Sequence, residues 1–324
     1  MRNSMRWIET LEDIREERPC ALALGSFDGL HRGHRKLLRE MLHWKEMGYK
    51  VAIFTFSTPP GALVARTMPT MIMTNEERVS LLQEAGVDYL VEYPFDEKVS
   101  RMDPEQFVAE VLTGRMNAEV IVTGPDCRFG YRAAGDRRLL EQLAPKYGYR
   151  FFVVDKERDG DRIISSTYIR EVLAEGNIKK ANELLGYCYF VSGRVVHGNS
   201  IGHSRLYPTA NLLPPKEKHL PKFGVYVSRV TAAGRIFAGL TNVGRKPTIE
   251  GDNPAGVETY LYDFAGNLYG MQIKVELLDF VRPEKQFDSI EDLKRQLDHD
   301  VAVCKERYLA LTAGLPEIIG RGKF

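Results

Sequence analysis

Gly25-Ser26-Phe27-Asp28-Gly29-Leu30-His31-Arg32-Gly33-His34 links a short apolar run at 21–24 to a stretch with helical patterning at 34–47. A strand that passes into a helix through three glycines is suited to phosphate. Gly25, Gly29 and Gly33 allow tight turns and close approach of the backbone to a ligand, and the N–H groups of a helix start attract an anion. His31 and His34 add two directed donors, and Phe27 and Asp28 lie in the same loop. A His-x-Gly-His pair can also be a helix cap or half of a metal site, although no third ligand motif accompanies it in the sequence.

Working outward, further apolar runs at 51–54, 89–91, 120–122 and 151–154 alternate with helical segments at 75–85 and 104–112. This alternation predicts an α/β domain with a parallel sheet covered on both faces, whose ligands sit beyond the carboxyl ends of the strands. After a helical stretch at 178–185 the rhythm changes. Runs at 189–196, 224–230, 236–242, 257–264 and 272–278 follow one another with turn residues between them. They predict a mainly antiparallel sheet or small barrel, closed by a C-terminal helix at 289–309. The expected domains are 1–185 and 186–324.

The bulk properties agree with this division. A chain of 324 residues, 44% of them hydrophobic, can bury two cores. With 45 basic and 44 acidic residues the net charge is +1, which leaves no general electrostatic footprint for nucleic acid or an anionic membrane. No apolar run approaches the ~20 residues that span a bilayer, and the first residues lack the apolar region of a signal peptide. The expected compartment is the cytoplasm. Cys20, Cys127, Cys188 and Cys304 are too scattered for a disulfide framework or a metal cluster and are expected to be reduced thiols.

Several later segments carry candidate chemistry. Ile164-Ser165-Ser166-Thr167-Tyr168-Ile169-Arg170 opens a helix with hydroxyl residues suited to N-capping, and Arg170 is placed to neutralise phosphate oxygens, though such a cap occurs at many helix starts. In Gly124-Pro125-Asp126-Cys127-Arg128-Phe129-Gly130, Asp126 and Phe129 suit a ligand rim, or else a turn and the core. Gly193 to Gly198 leads through Gly202 to Tyr207-Pro208-Thr209-Ala210-Asn211-Leu212, read as a glycine loop followed by a rigid turn. Thr209 and Asn211 offer hard oxygen ligands for Mg²⁺, while Pro-Thr-Ala-Asn in isolation reads as an ordinary turn. Glu258 lies on an alternating strand, as a proton acceptor or a solvent-facing carboxylate. Arg282 precedes the last helix, where an exposed charge would be unremarkable.

These stretches resemble, in order, the motifs of bacterial bifunctional riboflavin kinase/FAD synthetases. The first loop is similar to the GxFDGxHxGH signature of nucleotidyltransferases, and 164–170 to the ISSTxIR motif of FAD synthetases. Residues 124–130 resemble the family's GxDFxFG loop, with Cys127 where Phe is usual, and Thr55-Phe56-Ser57-Thr58-Pro59-Pro60 lacks the histidine of TFxPHP. The second half resembles riboflavin kinases in its PTAN segment, in Asn242-Val243-Gly244-Arg245-Lys246-Pro247-Thr248, and in the VETxxxDF strand that carries the family's catalytic Glu. It departs from GRxLGFPTAN at His203 and Leu206, where Arg and Gly are usual, and a Leu206 at φ > 0 would be strained.

The resemblance implies a Rossmann-like FMN adenylyltransferase domain followed by a β-barrel riboflavin kinase domain. It implies two reactions: riboflavin + ATP giving FMN + ADP, and FMN + ATP giving FAD + pyrophosphate, each with Mg²⁺. Thr209 and Asn211 would hold MgATP and Glu258 would take the ribityl proton in the first. In the second, His31, His34, Ser165, Ser166, Thr167 and Arg170 would hold ATP, while Gly198 and Gly202 belong to the kinase loop and Asp126, Phe129 and Arg282 border flavin. The partners are these small molecules, with no nucleic acid and no membrane, and any self-association is expected to be weak. Two other readings remain: an adenylyltransferase with a degenerate kinase domain, and a non-catalytic flavin-sensing regulator.

Overall fold

Strands that are buried on both faces read as unbroken apolar runs, and the runs at 21–24, 51–54, 89–91 and 120–122 behave this way, whereas 151–154 is only partly buried. A computed structural model describes residues 5–10, 16–56, 70–94, 97–197, 207–245 and 254–313. In it, β1 (Arg6–Ile8), β2 (Cys20–Leu24), β3 (Lys50–Phe56), β4 (Tyr89–Tyr93) and β5 (Ala118–Thr123) precede a small hairpin of β6 (Arg128–Phe129) and β7 (Gly135–Asp136). With β8 (Arg150–Val153) the larger strands make a six-stranded, wholly parallel sheet in the order β1-β4-β3-β2-β5-β8. The chain winds one way from β2 through β3 to β4 and the other way to β5 and β8. The carboxyl end of β2 is therefore the switch point where such sheets bind ligands. The edge strand β1 was not anticipated; three residues are too few for a pattern to stand out.

Helix α1 (Arg32–Glu46) buries Leu37, Leu38, Met41 and Trp44, the spacing of one helical face. It starts two residues before the expected 34 because His31 is its cap: the His31 Nδ1 accepts from the His34 N–H at 3.4 Å. Helix α2 (Asn75–Ala85) coincides with its expected range. The expected helix at 104–112 opens as Pro104–Gln106, capped by Asp103, and then widens into a π-helix over Phe107–Thr113. Helix α3 (Arg137–Tyr147) is capped by Asp136 and ends at Gly148, whose φ of 77° suits glycine.

A short hairpin, β9 (Arg158–Asp159) and β10 (Arg162–Ile163), leads to α4 (Ser166–Glu175) and α5 (Ile178–Leu185). The second sheet contains β11 (Phe190–Arg194), β12 (Thr209–Leu212), β13 (Gly224–Ala232), β14 (Arg235–Arg245), β15 (Ala255–Leu261) and β16 (Gln272–Pro283). Its order is β11-β16-β13-β14-β15-β12, and every pairing is antiparallel. An isolated bridge from Val196 to Asn211 joins the two ends, so the sheet curls towards a barrel. Helix α6 (Ile290–Thr312), capped by Ser289, packs Cys304 against Val225, Val227, Leu240 and Tyr262.

One local expectation is corrected here. Thr209 to Asn211 is not a turn but part of β12, because its backbone pairs in register with β15. Asn242 to Arg245, in the second kinase-like segment, forms the end of β14. Gly198, Gly202, His203 and Leu206, residues 57–60 and residues 246–248 lie outside the described residues.

The chain divides into two compact units, one holding the parallel sheet and running to Ser165, the other taking Thr70–Thr74 and the chain from Ser166 through the barrel. Among the described residues no helix is long and apolar enough to cross a membrane.

Candidate active sites

The loop after β2 is tightly built. Gly25 donates its N–H to the Phe54 carbonyl at 3.2 Å, which ties the end of β2 to β3. Phe27 and Leu30 hold φ values of 49° and 36°, both in the left-handed region that side chains disfavour, and both residues are buried. Strain of this kind is sustained only where the surroundings over-determine it, as they do at ligand clamps. Gly33 is tightly placed: a Cβ there would stand 3.1 Å from the His31 ring, which would have to shift by a few tenths of an ångström.

The rings of His31 and His34 stack with centroids 3.7 Å apart, and Phe27 lies 4.9 Å from His34. Burial pushes the His31 imidazolium down to about 4. Burial and the neighbouring His31 hold His34 well below the ordinary histidine value. Both imidazoles are therefore neutral at pH 7. Since His31 Nδ1 accepts from a backbone N–H, its proton sits on Nε2, where it can be donated. The Nδ1 of His34 is buried and has no hydrogen-bond partner among the described residues. A buried polar atom without a partner is costly, and a ligand oxygen would relieve it. Among the described residues no third His, Cys, Asp or Glu joins the pair to make a metal site.

Asp28 is buried in the same loop. Arg32 pairs with Glu157 at 2.8 Å, and Lys36 donates to the Asp155 carbonyl at 3.2 Å, so residues 155–157 border the start of α1. Asp126 is exposed and paired with Lys156 at 2.5 Å. Phe129 is buried 5.8 Å from Phe107, and a Cβ on Gly135 would meet its ring at 2.6 Å.

Ser165 ends one compact unit, and Ser166, Thr167 and Arg170 belong to the other, in the first turns of α4. There Arg170 donates to the Thr70 carbonyl at 3.4 Å, and His219 contacts Thr70 Oγ1 at 2.7 Å and the Arg170 carbonyl at 3.2 Å.

On the barrel, β12 and β15 bring the predicted kinase residues together. Asn211 stands opposite Glu258 and Thr209 opposite Tyr260, so all four share one face. The Thr209 hydroxyl donates to Glu258 Oε1 at 2.6 Å, and Asn211 turns its amide nitrogen to the Thr209 carbonyl at 3.4 Å. Tyr207, 5.1 Å from the Tyr260 ring, donates to Asp298 on α6 at 2.6 Å. A hydroxyl, an amide and a carboxylate within one patch form a hard oxygen set that suits Mg²⁺. Arg282 is committed elsewhere: its Nε and Nη2 donate to the buried Asp300 at 2.9 and 2.6 Å, and Gln296 supports that carboxylate at 2.9 Å.

Sequence reading missed Asp300 and Glu92. Asp300 sits on a helix too charged for one acid to be conspicuous, whereas Glu92, inside the otherwise apolar strand Tyr89–Tyr93, was a visible anomaly.

Comparison with known proteins covers the same two regions. A family model described as FAD synthetase matches residues 13–168, and one described as riboflavin kinase matches 185–308. A relative from Escherichia coli strain K12, named bifunctional riboflavin kinase/FMN adenylyltransferase, is 34% identical over 308 residues, 93% of this chain and 96% of the relative. The protein of that name from Haemophilus influenzae is 33% identical over 294 residues, covering 88% and 93%. A crystal structure from Streptococcus pneumoniae, described as a macrolide-efflux protein, superimposes with a TM-score of 0.82 at 30% identity, over 93% of this chain and 99% of that one. The likeness to it is one of fold, whatever that protein transports. With a parallel-sheet unit matching FAD synthetase, a barrel matching riboflavin kinase, and relatives alike from end to end, the chain belongs to the bifunctional riboflavin kinase/FMN adenylyltransferase family.

Proposed function

We propose that the two halves act in sequence, the barrel phosphorylating riboflavin to FMN with ATP and the parallel-sheet half transferring the adenylyl group of a second ATP to FMN, giving FAD and pyrophosphate. The observation that carries the kinase assignment is the Thr209–Glu258 hydrogen bond, which holds a carboxylate beside two further oxygen donors. Glu258 accepts the proton of the ribityl hydroxyl as that oxygen attacks the γ-phosphate. Thr209 and Asn211 are the residues that would hold Mg²⁺, whose charge offsets that of the ATP phosphates.

For adenylyl transfer the FMN phosphate already supplies the attacking oxygen, so the protein has to align the reactants and stabilise charge. The neutral pair His31 and His34 donates hydrogen bonds to the triphosphate, assisted by the N–H groups at the start of α1. A phosphate-binding role for Ser166, Thr167 and Arg170 rests on the likeness of 164–170 to the ISSTxIR motif alone, and no covalent enzyme intermediate is needed. Asp126 borders the flavin, and Phe129 acts through the packing of that rim. Arg282, held by Asp300, shapes the flavin edge rather than carrying a free charge to it. The four free thiols fit work in the cytoplasm, where ATP is supplied.

The test is product analysis of the purified chain with ATP and Mg²⁺, given riboflavin in one tube and FMN in another. FAD in both is expected. FAD from FMN alone would restrict the chain to adenylyl transfer and mark His203 and Leu206 as the changes that disabled the kinase. FAD in neither would refute the whole reading.

A further inference from the structure

Arg78 lies on α2 and is only 3% exposed. Its Nη2 donates to Glu92 Oε1 on β4 and, at 2.9 Å, to Asn75 Oδ1, while its Nη1 donates to the Ser26 carbonyl at 3.3 Å. Glu92 is equally buried, and its other oxygen accepts from Trp7 Nε1 at 2.8 Å. The cation is thus neutralised within the parallel-sheet unit and does not attract an anion by net charge. A buried ion pair of this kind is also a weak source of stability, because desolvation offsets most of the Coulombic gain. What the arrangement supplies is direction.

Ser26 stands between Gly25, whose N–H is fixed on the Phe54 carbonyl, and Phe27, whose φ is 49°. The peptide joining Ser26 to Phe27 is trans, so its C=O and N–H point opposite ways. Holding the Ser26 carbonyl on Arg78 therefore turns the Phe27 N–H away from the ion pair. It also supports a backbone conformation that phenylalanine does not favour.

We propose that Arg78 is a positioning residue for adenylyl transfer: paired with Glu92, it clamps the Ser26 carbonyl and presents the Phe27 N–H to an oxygen of the ATP triphosphate. This rests on adenylyl transfer being the activity of the parallel-sheet unit. Nothing in the motif itself names Arg78, which is 52 residues from Ser26 along the chain.

The experiment is steady-state FAD formation from FMN by the full chain, with ATP varied, for the natural protein, Arg78→Lys, and the double variant Arg78→Met with Glu92→Leu. Lysine keeps the charge but lacks the planar fork that serves Glu92, Asn75 and Ser26 together. The double variant leaves no unpaired buried charge, so it tests direction without a folding penalty of that origin. Cooperative thermal unfolding of each variant establishes that it is folded, and Arg78→Lys stands alone if the double variant is not. Both variants should lose about 10- to 100-fold in kcat/KM for ATP, the scale of a misplaced reactant, with KM for FMN unchanged. A purely structural role for the pair predicts instead that the folded double variant matches the natural protein, and that result would overturn the proposal. If the natural chain forms FAD and neither variant is impaired, Arg78 alone is excluded. If the natural chain forms no FAD from FMN, the adenylyl assignment fails and the proposal falls with it.

Discussion

The loop at 25–34 and the β12–β15 ribbon, the two sites proposed for phosphate ligands, are built by opposite means. The first is a strained, buried turn at the end of a parallel strand, with two stacked imidazoles kept neutral by burial. The second is a pair of antiparallel strands whose alternation places Thr209, Asn211 and Glu258 on one face. Neutral donors suit a step in which the protein only aligns and stabilises phosphate. A carboxylate suits a step in which an alcohol must lose its proton. The difference between the two regions is therefore chemical as well as architectural, and it separates the effects of mutation.

The largest separation is expected at Glu258. Glu258→Gln keeps the shape and the contact with Thr209 but removes the base, and should lower FMN formation from riboflavin by about 10²- to 10⁴-fold while FAD formation from supplied FMN persists. Equal loss of both products would break the contrast. His31→Ala should do the reverse, lowering FAD formation by about 10²- to 10³-fold, the usual scale for one lost donor to a phosphate or oxyanion, with FMN formation retained. If FAD yield survives, the imidazole is only a helix cap.

The smallest effect concerns pH. His31 has a folded value near 4 against about 6.5 when unfolded, so the unfolded chain binds the extra proton first. Stability from this group is complete above about pH 6.5, declines as pH falls, and is lost by about pH 4. Thermal unfolding measured across that window should show a slope that His31→Asn reduces. An unchanged slope would mean that the imidazole is not buried in the neutral form.

Much of the fold was legible before any coordinates. The runs in the first half became strands of one parallel sheet and those in the second half became antiparallel partners, because hydrophobic period is a local property and survives into packing. Helix α2 also fell on its expected bounds. The reading failed where backbone pairing overrode local composition: Thr209 to Asn211 looks like a turn until β15 offers it a ladder. It was silent on Asp300, the partner that holds Arg282 from 18 residues away on another element.

The sequence by itself determined the glycine and histidine loop, the succession of two fold classes, and the residue types available for phosphate, since each depends on neighbours within a few positions. Only the tertiary structure decided that the imidazoles stack and stay neutral, that Thr209 meets Glu258 across 49 residues, and that Arg78 holds Ser26. Those contacts depend on strand register and on burial, and both arise only when distant parts of the chain exclude water together.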